Sequence, residues 1–128
     1  MHKQDRRSLL SRATGLGSAR KGVGHWWAER VTAIALVPLT IWFLASVVAL
    51  TGSDRAGVVT WLRTPSAAIC MVLLLVALFY HMALGLQVVI EDYVHSGARF
   101  AVLIAIRLAC FALAGTGILV TLRISVGG

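Results

Sequence analysis

Charge is what this sequence has least of. Only 13% of its 128 residues are charged, and five are acidic. A soluble domain of this size is typically about one quarter charged. The shortage excludes an ordinary soluble enzyme, and the richness in apolar residues excludes a disordered chain. Cysteine is scarce as well. Cys70 and Cys110 make no C-x-x-C-H haem attachment and no metal pair. Both fall in apolar stretches, where a thiol behaves as a small buried apolar group. No internal repeat is present, and no small-residue cleavage pattern follows an apolar run, which excludes a secretory signal.

What the chain has in abundance is apolar residues, at 59%, with a mean hydropathy of +0.85. Against that background the net charge of +7 stands out. Seven of the twelve basic residues lie in the first thirty positions: Lys3, Arg6, Arg7, Arg12, Arg20, Lys21 and Arg30. Only Asp5 and Glu29 oppose them there. A basic tail serves either nucleic acid or a membrane surface, and the body behind it is too apolar to be soluble. No nucleic-acid partner is expected. The tail is the cytoplasmic end of a membrane protein under the positive-inside rule. Its Arg-rich, acid-poor composition also admits a mitochondrial transit peptide as the alternative.

Three apolar runs, about 31–50, 66–90 and 100–122, are each long enough for the roughly 20 helical residues that a bilayer requires. They are continuously apolar rather than alternating, so they read as helices. The expected fold is all-α: a single membrane-anchor domain over 1–128 with three transmembrane helices, preceded by the basic segment 1–30. Pro38 removes a backbone bond inside the first helix, which a bundle tolerates. TGSDRAGVVTWLRTP, from Thr51 to Pro65, reads as a loop with an interfacial Trp61. EDYVHSGAR, from Glu91 to Arg99, is the second loop. The basic tail puts the N-terminus and the second loop inside, and the first loop and C-terminus outside. Trp26 and Trp27 sit where an aromatic belt is expected.

Ionisable groups inside a membrane are functional candidates. His81 lies near the middle of the second run, with Ala77 and Gly85 one turn to either side on the same face. A small–His–small face suits a flat, wide group such as a porphyrin with an axial imidazole. It equally suits a His hydrogen-bonded to a close-packed neighbouring helix. Bis-histidine haem needs two deep histidines. Of His2, His25, His81 and His95, only His81 is deep, so if haem is bound its second ligand has to come from another chain or from a symmetry mate. The inner edge collects His25, Glu29 and Arg30 before the first helix, and Glu91, Asp92, Tyr93 and His95 after the second. Asp92 is eleven residues from His81, about 16 Å along a helix and on nearly the same face. Arg30 is suited to haem propionates, Tyr93 to a quinone carbonyl, and Asp92 or His95 to proton supply. An ordinary solvated interface is the alternative for each. Gln87 reads as interhelical glue. Arg107, in the third run, either snorkels inward or meets an acidic group of a partner.

The stretch HWWAERVTAIALVPL, together with HMALGLQVVIEDYVH from His81 to His95, resembles the small hydrophobic membrane anchor (small cytochrome b subunit) of succinate dehydrogenase, respiratory complex II. The resemblance covers about residues 22–125 and leans to the alphaproteobacterial branch. It implies a three-helix anchor that bundles with a second three-helix anchor of cytochrome b556 type. Together the two hold a flavoprotein and an iron–sulfur subunit at the inner membrane. It further implies one haem b shared between the anchors, with His81 as axial ligand to the iron. Tyr93 matches the tyrosine that hydrogen-bonds ubiquinone, with Asp92 beside it. Arg30 matches the arginine near the haem propionates, and His25 falls near a histidine at that edge. The chain has no flavin motif and no cysteine cluster, so it does not oxidise succinate alone. The rival readings are the cytochrome b556-type anchor itself, against which the D-Y-V-H ending argues; a fumarate reductase anchor, which the co-purifying quinone would distinguish; and a cofactor-free structural membrane protein.

Overall fold

A chain this apolar has to satisfy its backbone hydrogen bonds internally, and helices do so within one segment. The computed structural model is accordingly helical. It describes residues 2–127, with side chains from Val23 to Gly127. There are four helices: α1 His2–Ala49, α2 Arg55–Arg63, α3 Pro65–Tyr93 and α4 Ala98–Val126. Three stretches are long and apolar enough to cross a membrane: Val23–Ala49 within α1, then α3 and α4. The side chains of His2, Lys3, Arg6, Arg7, Arg12, Arg20 and Lys21 lie outside the described residues.

All three expected runs begin too late, and the last two end too early. α1 contains His25, Glu29 and Arg30, which were expected ahead of it, and α3 contains Glu91, Asp92 and Tyr93. The reason is physical. Polarity at a membrane edge does not stop a helix; a proline, a glycine turn or a capping group does. α1 has its first proline at Pro38, which it absorbs without breaking. It ends at a turn where Gly52 adopts φ +85°, a conformation that suits glycine. There the Ser53 amide donates to the Leu50 carbonyl at 2.9 Å.

The expected loop between Thr51 and Pro65 is largely a helix, which is a second correction. Asp54 caps α2, its carboxylate accepting from the Gly57 amide at 2.9 Å. Leu62 is buried, and Trp61 stacks on Trp42 of α1, with ring centroids 5.7 Å apart and planes at 22°. Arg63 Nε donates to the Ile124 carbonyl of α4 at 3.4 Å. Pro65 then opens α3 at a position where its missing N–H costs nothing.

α3 is the central helix. It packs against both α1 and α4, while α1 and α4 do not pack on each other among the described residues. The most apolar window of α3 is 28% buried, against 0% and 6% for those of α1 and α4. Two of the three spans therefore present their apolar side chains outward, to lipid or to other helices. α3 and α4 come close together at Gly117. A Cβ there would lie 3.1 and 3.3 Å from the Leu75 methyls. Gly117→Val is expected to destabilise the chain by about 1–3 kcal/mol through overpacking. Thermal denaturation in detergent reads this as a lowered midpoint, and a wild-type midpoint would remove the packing role.

Candidate functional site

His81 sits where α3 faces α1. Seventeen residues separate Thr32 from Ala49, and sixteen separate Pro65 from His81. The two helices run antiparallel from the α2 end, so both side chains lie about 25 Å from it at 1.5 Å per residue. Thr32 Oγ1 is 3.0 Å from His81 Nδ1. This hydrogen bond is the interhelical contact that a buried polar side chain seeks. An imidazole has a second nitrogen, however, and Nε2 makes no hydrogen bond among the described residues.

The small-residue face around His81 is one-sided. Ala77 is 7% exposed and serves helix packing. Gly85 is exposed, and a Cβ placed on it would meet nothing within 4 Å. Space beside the imidazole is therefore open on the Gly85 side only. A half-exposed imidazole with one nitrogen uncommitted and open room one turn along fits an axial haem ligand. No group of three or more His, Cys, Asp or Glu able to hold a metal ion occurs among the described residues.

The remaining site residues occupy the opposite end of the bundle from α2. Asp92, Tyr93 and His95 are exposed, Tyr93 at 81%. Their side chains make no hydrogen bond or ion pair among the described residues. Tyr93 is still helical, so it is turned about 100° from Asp92. Arg30 is exposed, with its guanidinium carbon 5.4 Å from the Trp26 ring centre. His25 Nδ1 lies 3.8 Å from Glu29 one turn on, and His25 Nε2 is buried without a partner among the described residues. No hydrogen bond joins Arg30 or His25 to His81 or Tyr93 among the described residues.

Gln87 is interhelical glue, as its place in an apolar helix suggests. Arg107 Nη2 of α4 donates to Gln87 Oε1 at 2.8 Å, and Gln87 Nε2 donates to Glu91 Oε1 at 3.0 Å. Arg107 thus reaches toward the Tyr93 end and finds its acidic counterpart within this chain, through Gln87. An apolar cleft of about 730 Å³ runs beside this relay, lined by His25, Phe79, Tyr80, Gln87, Arg107 and Phe111 among others. His81 does not line it.

Thr32 is the site residue that the sequence did not single out. It was visible as a polar residue in an apolar run. Its partner becomes apparent only when α1 and α3 are measured from a common end.

The family model for the succinate dehydrogenase/fumarate reductase transmembrane subunit matches residues 4–114. A succinate dehydrogenase hydrophobic membrane anchor subunit of Rickettsia bellii is 37% identical over 81% of this chain and 84% of its own length. The protein of the same description from Paracoccus denitrificans is 32% identical over 83% and 88%. That of Rickettsia conorii is 31% identical over 83% and 86%. No solved structure matches the chain. With three membrane-length helices, the HWWAER start and the His81–His95 stretch in place, the chain belongs to the succinate dehydrogenase/fumarate reductase transmembrane subunit family, on the side of the hydrophobic membrane anchors.

Proposed function

We infer that this chain is the small hydrophobic anchor of a succinate:ubiquinone oxidoreductase in a bacterial inner membrane. It co-ligates haem b and forms part of the ubiquinone site. The carrying observation is the arrangement along α3: one deep imidazole, His81, and an exposed acid–phenol pair, Asp92 and Tyr93, at the end of the same rigid helix. His81 would hold the haem iron together with a histidine of a second three-helix anchor, of cytochrome b556 type. The outward apolar faces of α1 and α4 leave room for that bundle. Arg30, and His25 less directly, serve the propionate edge. When bound, the haem supplies one-electron redox chemistry.

Ubiquinone reduction takes two electrons and two protons. The electrons come from the iron–sulfur subunit, which receives them from the flavoprotein's oxidation of succinate. Tyr93 donates a hydrogen bond to a quinone carbonyl, orienting the ring, and Asp92 delivers protons from the aqueous side. The basic tail holds the N-terminus and the Tyr93 end in the cytoplasm and leaves the C-terminus in the periplasm. The test is purification of the complex through a tag on this chain. The expected result is three further subunits by mass, a b-type reduced-minus-oxidised spectrum and succinate-dependent ubiquinone reduction. A chain purified alone, without haem absorbance, would leave only a structural membrane protein.

A further inference from the structure

The two ring nitrogens of His81 have different environments, and Thr32 is the cause. The Thr32 hydroxyl oxygen lies 2.7 Å from the Ala28 carbonyl and 3.1 Å from the Glu29 carbonyl. A hydroxyl has a single hydrogen to donate. The 2.7 Å contact has the length of an O–H···O bond, and the 3.0 Å contact to His81 Nδ1 has that of N–H···O. With its hydrogen committed one turn back along α1, Oγ1 meets the ring only as an acceptor. The proton between them therefore sits on Nδ1. A neutral imidazole carries one N–H, so Nε2 holds the lone pair.

We propose that Thr32 is the positioning residue that fixes His81 in its Nδ1–H tautomer and presents Nε2 to the haem iron. The proposal rests on haem ligation by His81. Threonine suits the role on three counts. Its β-branched side chain has few rotamers, and the bond to Ala28 selects one of them. It carries no charge, so it adds no ionic cost inside the membrane. As an acceptor on Nδ1–H it also makes the imidazole a more basic ligand, which favours the oxidised iron.

The experiment compares four variants in the assembled complex: Thr32→Val, which keeps the shape and removes the acceptor; Thr32→Ala, a smaller hydroxyl-free variant in case valine hinders assembly; Thr32→Ser, which restores the hydroxyl; and His81→Ala. The readouts are haem per complex after detergent washing and the haem midpoint potential. Loss of an outer partner of a metal-bound histidine typically weakens metal binding about 10- to 100-fold. Thr32→Val and Thr32→Ala are expected to lose haem about tenfold more readily and to shift the potential upward, while Thr32→Ser stays close to wild type. Wild-type haem retention and potential in the hydroxyl-free variants, with haem lost in His81→Ala, would overturn the role of Thr32 alone. A serine variant as impaired as valine would overturn it too, by showing that packing rather than the hydrogen bond matters. An unaltered haem spectrum in His81→Ala would overturn the ligation itself.

Discussion

His81→Ala is expected to abolish the b-type haem absorbance of the complex while leaving its subunits assembled. The two halves of that outcome have separate causes. Haem with two histidine ligands depends on both, and no other deep histidine among the described residues can substitute: His25 and His95 lie toward the Tyr93 end. Assembly survives because the substitution leaves no buried polar group stranded. Thr32 loses its contact to the ring, but its hydroxyl hydrogen remains bonded to the Ala28 carbonyl at 2.7 Å. An unmet buried donor would cost about 1–3 kcal/mol, and that cost does not arise. His81 is itself half-buried rather than part of the tightly packed set around Leu74, Ala77 and Leu84. Removing it opens space on a side that is already open at Gly85. The measurement is a reduced-minus-oxidised spectrum normalised to subunits resolved by mass. A wild-type spectrum at wild-type stoichiometry would sink the ligand assignment.

The parts of the molecule that were legible in the sequence are those governed by one-dimensional rules. Three unbroken apolar runs dictate three spanning helices, because the bilayer leaves the backbone no other economical arrangement. His81 stands out because ionisable groups deep in such a run are rare, although an interhelical hydrogen bond accounts for it equally well. What the sequence did not reveal depends on contacts between elements. The fifteen residues from Thr51 to Pro65 looked like a loop because they contain glycine, serine and aspartate. Asp54 is nevertheless a helix cap, and Val59 and Leu62 face inward three residues apart. The Asp54-x-x-Gly57 spacing carried that signal. Trp61 reads as interfacial from the sequence, and its stacking on Trp42 is a pairing only the α1–α2 turn brings about. Thr32 could not be matched to His81 until the turn fixed the common depth of α1 and α3. The direction of Arg107 likewise depends on a contact between elements, its 2.8 Å hydrogen bond to Gln87 Oε1.

Asp92→Asn and Tyr93→Phe are expected to lower ubiquinone reduction without lowering succinate oxidation. The expectation begins from their exposure. Tyr93 is 81% exposed, Asp92 is also on the surface, and neither side chain holds another part of the described structure together. Exposed substitutions of this kind change stability by about 0.5 kcal/mol or less, so a loss of activity cannot be charged to misfolding. Both residues occupy the last turn of α3, whose Val94 amide still donates to the Ile90 carbonyl at 2.8 Å. They are therefore held on a fixed element rather than a loose loop. Tyr93→Phe removes one donor to a quinone carbonyl. A neutral hydrogen bond contributes about 0.5–1.5 kcal/mol, which corresponds to a roughly two- to tenfold fall in rate. Asp92→Asn removes a group that can take up and release protons, and positioned proton transfer contributes about 10²- to 10⁴-fold. The aspartate variant should accordingly be the more impaired, by about a hundredfold or more on this scale. Two assays on one preparation separate the steps: succinate to ubiquinone, and succinate to an artificial dye that takes electrons before the membrane anchors. The first should fall in the stated order and the second should hold. Equal loss in both assays would count against a quinone site at this end of α3, and a tyrosine effect larger than the aspartate effect would remove Asp92 from proton delivery.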